Sequence, residues 1–486
     1  MSKKLHASAS GVKYDIIRAV SSEIVACVNK SEMTSVRQES RYGDRLYGYC
    51  ELVTKASSEC FRSLHGSVYY FDGRKWVSFG KDDVLLEQSL NTALVALKVP
   101  KTDIINSRAR LISSAKSGAL LSPLEVSPTI IGFSNGVWDF SDIDRPVRYS
   151  FSDRMPITCV LPYAYDPSAT CPMWMSFLSK ILRHRDIEVL QKYLGLGCAD
   201  RRLMSHKVEE TLWLVGAGGN GKSTVFEMVK AVYGADNMSY MPLGHLVTTN
   251  VDLRMRNIGR IVGKVFNYCS EIQADDITRC SDTFKSLCSG EPQEIRRIGK
   301  DSETAYDIPF FVFNMNKKPT NRAMDSAFTR RLIVIDFSTV VSKVDMDREL
   351  VSKMMSELSG IRNWMVEGLR KLSKDGYVFT PDGVGSDAIR EYEFENGQSV
   401  KLFCDDNGYR SGVYSGHWGE EPHYVVAADL YQLYVQYCQM NGQDPVSMNM
   451  FGRDMRKLAF RTKRTSGNVV YVIYSDNVIP CEIKNR

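Results

Sequence analysis

One stretch restricts the fold more than any other: "LWLVGAGGNGKSTVFEMVKAVYG", residues 212–234. The short apolar run before the glycines reads as a strand buried on both faces. The apolar spacing after them reads as an amphipathic helix. Glycine lets the backbone between the two turn where a side chain would clash. A buried strand, a tight loop and a helix in that order call for an α/β core with a mainly parallel sheet.

The loop carries chemistry as well as shape. Gly216, four further residues, then Gly221-Lys222-Ser223 complete the pattern GxxxxGK[ST] between a strand and a helix. Backbone N–H groups of such a loop surround a phosphate, and the helix N-terminus adds free donors and positive potential. Gly216, Ala217, Gly218, Gly219, Asn220, Gly221, Lys222, Ser223 and Thr224 are therefore the expected nucleotide cradle. Lys222 suits the β- and γ-phosphates, and Ser223 suits Mg²⁺. ATP or GTP is the expected ligand.

The rest of the chain bounds what that nucleotide serves. At 486 residues it is too long for one ordinary core, so several domains are expected. Net charge is only +5, so any nucleic-acid contact must come from local clusters. Twelve cysteines include no CxxC pair, which reads as reduced thiols in a host cell cytoplasm. The N-terminus lacks an apolar signal core, and no apolar run is long enough to span a membrane.

Residues 1–160 read as an α+β domain. "GSVYYFDGRKWVSFG" is a hairpin around Asp72-Gly73, and "IIGFSNGVWDF" is another, with Asn135-Gly136 at its turn. Asp142 and Asp144 form a DxD pair that reads as a solvated loop rather than a metal site. Residues 161–207 read as helical, 208–345 as the α/β core, 346–404 as a helical extension, 405–423 as a linker and 424–486 as a small final domain.

Hydrolysis needs a carboxylate at the end of a neighbouring strand. "KVFNYCSEI" supplies Glu271, suited to Mg²⁺ or to the attacking water. The strand "IPFFVFNMN" ends at Asn316, an amide suited to sensing a γ-phosphate. Arg330 and Arg331 precede one more strand. One of them is either an arginine finger toward a neighbouring subunit or a partner in a surface ion pair.

This order resembles superfamily 3 helicases, and more closely the D5/P4-type replicative helicases of viruses, phages and plasmids. "GAGGNGKST" looks like that family's Walker A and "FNYCSEI" like its Walker B strand. "FKSLCSGEPQEIRRIGK" is similar to its B′ region, and "NKKP" to its motif C. "SNGVWDF", "YDPSATCPMWMSFL" and "LQKYLGLGCAD" resemble the domain before the motor. The likeness runs from about residue 60 to the C-terminus. It implies an AAA+-like P-loop ATPase core in which Glu271 is the Walker B acid, Asn316 the sensor and Arg330 or Arg331 the finger. It also implies that Lys285, Arg296, Arg297 and Lys300 contact DNA, and that movement runs 3′-to-5′. Ser270 stands where many relatives carry a first acid, which leaves the metal and water duties to Glu271. No carboxylate set for a primase is evident.

A second basic element closes the chain. "AADLYQLYVQYCQMNG" and "SMNMFGRDMRKLAF" read as helices, the latter with Ser447 as N-cap, and "RTKRTSGNVVYVIY" as a hairpin. Helix, helix, hairpin fits a C-terminal winged helix. Arg453, Arg456, Lys457, Arg461, Lys463 and Arg464 suit a duplex backbone.

The leading expectation is an ATP- and Mg²⁺-dependent DNA helicase. It works as a homo-oligomeric ring, a hexamer by the resemblance, on single-stranded and duplex DNA, beside a separate primase or polymerase. The alternative is an ATP-dependent origin-binding initiator without processive unwinding. A metabolic P-loop kinase has no use for the basic final domain, and an ABC-type ATPase is disfavoured because no LSGG-like signature is present.

Overall fold

The computed structural model describes residues 2–80, 83–216, 218–270, 281–297, 301–316, 328, 330–339, 347, 349–379, 398–412, 422–465, 468–475 and 479. Two compact units emerge: Met1–Thr170 with Cys198–Asp200 and Leu358–Val366, and Cys171–Gly197 with Arg201–Glu357 and Glu367–Arg486.

The first unit is α+β. Helices α1 (Ser2–Cys27), α2 (Lys30–Gln38) and α3 (Tyr42–Cys60) precede strands β1 (Phe61–Leu64), β2 (Ser67–Phe71) and β3 (Trp76–Ser78). Helices α4 (Val84–Ala96) and α5 (Lys101–Leu120) follow. Tyr49, Phe61, Leu86, Leu90 and Ala115 are buried together in the core of this unit. The β2–β3 turn forms at Asp72, whose Oδ1 accepts the Arg74 and Lys75 N–H groups at 2.8 Å each. A second sheet runs β6-β5-β4-β7, from β4 (Ile130–Phe133), β5 (Gly136–Asp139), β6 (Val147–Tyr149) and β7 (Val160–Leu161). Phe133 pairs with Gly136, so the turn lies at Ser134-Asn135, one residue earlier than the sequence suggests. The Asn135 side chain is occupied elsewhere: it donates to Tyr165 O (2.9 Å) and accepts from Tyr165 N (3.1 Å). Asp142 Oδ1 accepts the Asp144 N–H at 3.0 Å, which makes the DxD an exposed turn.

The second unit opens with α6 (Pro172–Ile181) and α7 (His184–Gly195). Then come β8 (Thr211–Val215), α8 (Lys222–Tyr233), β9 (Met238–Ser239), α9 (Leu243–Leu246), α10 (Val251–Ile261) and β10 (Phe266–Ser270). They are followed by α11 (Ser281–Cys288), β11 (Gln293–Arg296), β12 (Ser302–Ala305), β13 (Phe310–Met315) and β14 (Leu332–Asp336). Five strands form one sheet in the order β14-β8-β13-β10-β9, with every pairing parallel. All five residues of β8 are buried, which is why its "LWLV" is continuously apolar and not alternating. The chain leaves β8 for the far edge at β9, returns through β10 and β13, and passes to the other side of β8 as β14. Open parallel sheets bind ligands outside the carboxyl ends of their strands, where the order reverses; here that point is β8.

Helices α12 (Leu350–Met354) and α13 (Leu358–Lys374) follow the sheet. The last subdomain holds α14 (Ser399–Asp406), β15 (His423–Val426), α15 (Ala427–Met440), α16 (Met448–Lys457), β16 (Arg461–Thr465) and β17 (Asn468–Ile473). Its antiparallel sheet has the order β15-β17-β16. Val400, Phe403 and Cys404 of α14 share a buried cluster with Tyr434, Phe451 and Ile473. This core therefore begins before residue 405, where the sequence suggests a linker. Helix α14 has too few residues to bury its apolar face alone, and the two later helices cover it.

Candidate functional site

The glycine loop connects the carboxyl end of β8 to the N-terminus of α8. Two of its glycines are dictated by space. Gly216 has φ +156°, and a Cβ there would stand 2.3 Å from Asn220 Nδ2 and 2.5 Å from Phe337 O. Gly221 has φ +90°, and a Cβ there would stand 2.8 Å from Ile181 Cδ1. Gly218 and Gly219 instead face open space. The loop is thus packed at both ends and open in the middle. Ala217 lies outside the described residues.

Lys222 starts α8 and is buried. Its Nζ donates to Gly216 O at 2.5 Å and to Asn220 Oδ1 at 2.9 Å. Burial pulls its pKa below the usual lysine value. Among the described residues no carboxylate pairs with it. Asn220, also buried, donates from Nδ2 to Phe337 O at 3.0 Å. The loop is thereby tied to the end of β14. Ser223 is exposed on the first turn of α8, beside Thr224, where backbone N–H groups lack helical partners. A buried cation, free helix donors and an open glycine bend suit a phosphate.

The neighbouring strand ends converge on this loop. Gly216 N donates to Met315 O at 3.2 Å, so Asn316, which is exposed, follows a residue bonded to the loop itself. Ser270 ends β10 opposite Asn314. Glu271 lies outside the described residues. On β10 the buried amide of Asn267 is a structural tie, accepting from Ser239 Oγ (2.8 Å) and Met241 N (2.9 Å).

Arg330 and Arg331 sit at the opposite, amino ends of β14 and β8. Arg331 is buried and donates to Ser289 Oγ at 3.1 Å, while its side chain is 7% exposed. Arg330 is 63% exposed. Both pair with Glu209 Oε2, at 3.2 Å from Arg330 and 3.1 Å from Arg331. Sequence reasoning missed Glu209 and Ser289. A signal existed: an acidic pair, Glu209-Glu210, precedes β8, and a basic pair precedes β14, its register partner.

The B′ stretch forms an antiparallel hairpin. Gln293 pairs with Ala305 and Arg296 with Ser302. Ile295 and Ala305 anchor it in the core beneath the sheet. Arg296 is exposed and 3.3 Å from Asp252 Oδ1; Arg297 is 2.8 Å from Glu303 Oε1. Lys285 is half-buried on α11. Lys300 lies outside the described residues. At the hairpin's root Arg201, also missed, donates to Val208 O (2.7 Å), to Pro309 O (3.3 Å) and to Cys288 O. It lies 4.6 Å from the centroid of the Phe310 ring.

In the last subdomain Phe451 and Met455 of α16 face inward. Ser447 Oγ caps this helix, accepting Met450 N at 3.4 Å. Arg453, Arg456 and Lys457 are exposed on α16, as are Arg461, Lys463 and Arg464 on β16. Lys457 pairs with Asp454 at 2.9 Å, and Lys463 lies 5.2 Å from the Tyr424 ring centroid. Among the described residues no acid pairs with Arg453, Arg461 or Arg464. No helix in the described residues is long and apolar enough to cross a membrane.

Residues 60–183 match the family described as D5 N terminal like, and residues 214–331 match a family of unknown function, DUF5906. Among solved structures, an A-form apo structure of the NrS-1 C-terminal region is similar at 12% identity and TM-score 0.39, covering 71% of this chain and 95% of that one. A second apo structure of the same region gives 12% identity and TM-score 0.36 with the same coverage. Comparison with curated proteins gives no match. The chain is thus similar to the D5 N terminal like family through residues 60–183 and to DUF5906 through residues 214–331, and neither match spans half of the chain.

Proposed function

We propose that the chain is an ATP-driven replicative DNA helicase that works as a ring, with an AAA+-like core and a C-terminal winged helix. The observation that carries this reading is the placement of the polar and charged groups on the parallel sheet. Lys222 and Asn316 lie at its carboxyl edge, and Arg330 at the amino end of β14. A five-residue strand spans about 17 Å at ~3.3 Å per residue. Arg330 therefore cannot reach the glycine loop of its own chain; in this reading it serves a nucleotide held by a neighbour. A closed ring gives every loop such a partner, and a hexamer is the form we propose.

In this reading the glycine loop and the α8 N-terminus bind the ATP phosphates. Lys222 neutralises their charge, Asn316 senses the γ-phosphate, and Glu271 orients the attacking water. Ser223 and Glu271 are the residues that would hold Mg²⁺, which supplies charge neutralisation when bound. Arg330 offsets the charge that develops in the neighbour's site. Arg331, buried on Ser289 and Glu209, supports the strand end. The B′ hairpins, with Lys285, Arg296, Arg297 and Lys300, grip one DNA strand and move 3′-to-5′. The exposed cations of α16 and β16 hold duplex. That basic face also favours a second reading, an origin-binding initiator that does not unwind processively.

Strand displacement with MgATP, on duplexes carrying a 3′ or a 5′ single-stranded tail, tests the proposal. The expected result is unwinding from one tail polarity, abolished by Lys222→Ala. Duplex binding without displacement of either substrate would favour the initiator.

A further inference from the structure

Glu209 precedes β8 and the two arginines precede β14, and pairing of Thr211 with Leu332 brings these flanks side by side. One oxygen of the Glu209 carboxylate takes both arginines. The other accepts the Ser289 hydroxyl at 2.9 Å and lies 3.5 Å from Lys207 Nζ. Ser289 directly follows α11 and leads into the B′ hairpin. A single carboxylate thus joins an exposed arginine to the root of the hairpin. Arg331 completes the link by donating to Ser289 Oγ as well. Its backbone is fixed too: Thr211 N and Oγ1 both donate to Arg331 O, at 2.7 and 3.0 Å.

We infer that Glu209 is a positioning residue for Arg330, one that sets its direction and couples it through Ser289 to movement of the B′ hairpin. The inference rests on the reading of Arg330 as the group that completes a neighbour's nucleotide site. Exposed arginines sample many rotamers, and an ion pair that is partly shielded restricts them before the neighbour docks. Partial burial alone would raise the Glu209 carboxyl. The Ser289 hydroxyl, with Arg331, Lys207 and Arg330, outweighs that and holds it below the ordinary carboxylate value. The carboxylate is therefore ionised at neutral pH, and its charge is available to both arginines.

The test is a double-mutant cycle in the full chain, reading kcat and KM for ATP with and without single-stranded DNA. Glu209→Gln should lower kcat by about tenfold with little change in KM, while adding it to Arg330→Ala should cost nothing more. Ser289→Ala should lower the stimulation by DNA several-fold. An equal loss from Glu209→Gln in both backgrounds would make Glu209 merely structural and overturn the inference, as would a wild-type kcat in Glu209→Gln. If Glu209→Gln unfolds at the assay temperature, Glu209→Asp replaces it. That variant keeps the charge but withdraws it by one methylene, and the same dependence on Arg330 is expected. Wild-type hydrolysis in Arg330→Ala alone would instead reject the reading of Arg330. A slow Arg330→Ala beside an unaffected Glu209→Gln would reject only the role of Glu209.

Discussion

Asn220 accepts a hydrogen bond from Lys222 Nζ at 2.9 Å while its own amide nitrogen donates to Phe337 O at 3.0 Å. One side chain therefore sets both the lysine and the strand beyond it. Asn220 occupies a variable position of the glycine pattern, yet it is buried because the loop closes over it.

Asn220→Ala removes both bonds. The expected cost is roughly 1–3 kcal/mol of stability, because partners buried with it lose a hydrogen bond. MgATP affinity should fall by about tenfold, since Lys222 loses its orientation. Thermal melting and titration with a fluorescent ATP analogue read the two effects. Unchanged melting and affinity would show that the loop holds its shape without the latch.

Gly216 and Gly218 separate shape from composition. Alanine at Gly216 would press on Phe337 O, a backbone atom that cannot swing aside. A loss of about 1–3 kcal/mol is expected. Alanine at Gly218 meets nothing within 4 Å and should stay within about 0.5 kcal/mol of wild type. Chemical denaturation of the two variants checks the order, and equal losses would contradict the packing described for Gly216.

Acid should release the Glu209 cluster. The folded Glu209 carboxyl is held below its ordinary value of 4.5. Its contribution to stability is therefore complete above that value and disappears as pH falls through the lower, folded one. Glu210 shifts the other way, raised by burial, but it is present in wild type and variant alike. The difference in melting temperature between wild type and Glu209→Gln should be constant at neutral pH and shrink below pH 4.5. A difference that grows on acidification would reverse the assigned sign.

The basic face of the last subdomain should act through phosphates. Replacing Arg453, Arg461 and Arg464 together by alanine should weaken duplex binding and flatten its dependence on salt. The slope of log affinity against log salt should fall by about 0.9 for each phosphate that is no longer neutralised. Fluorescence anisotropy over a salt series measures it. An unaltered slope would mean that this face meets something other than nucleic acid.

Much of this architecture is legible locally. The run "TLWLV", the glycines and the spacing of Val225, Met228, Val229 and Val232 specify a buried strand, a bend and a helix without reference to distant residues. The B′ hairpin, the Asp72 turn and the Ser447 cap are likewise set by neighbours in sequence. The strand order β14-β8-β13-β10-β9 is another matter. Parallel strands meet only after long crossovers, so their order depends on which apolar faces pack together across the whole unit. Tertiary structure alone made Asn220 a latch to Phe337, placed Asn316 after a residue bonded to Gly216, and buried Arg331 while leaving Arg330 exposed. Two adjacent arginines have the same local chemistry. Their different surroundings come from Glu209 and Ser289, which only folding brings to their side.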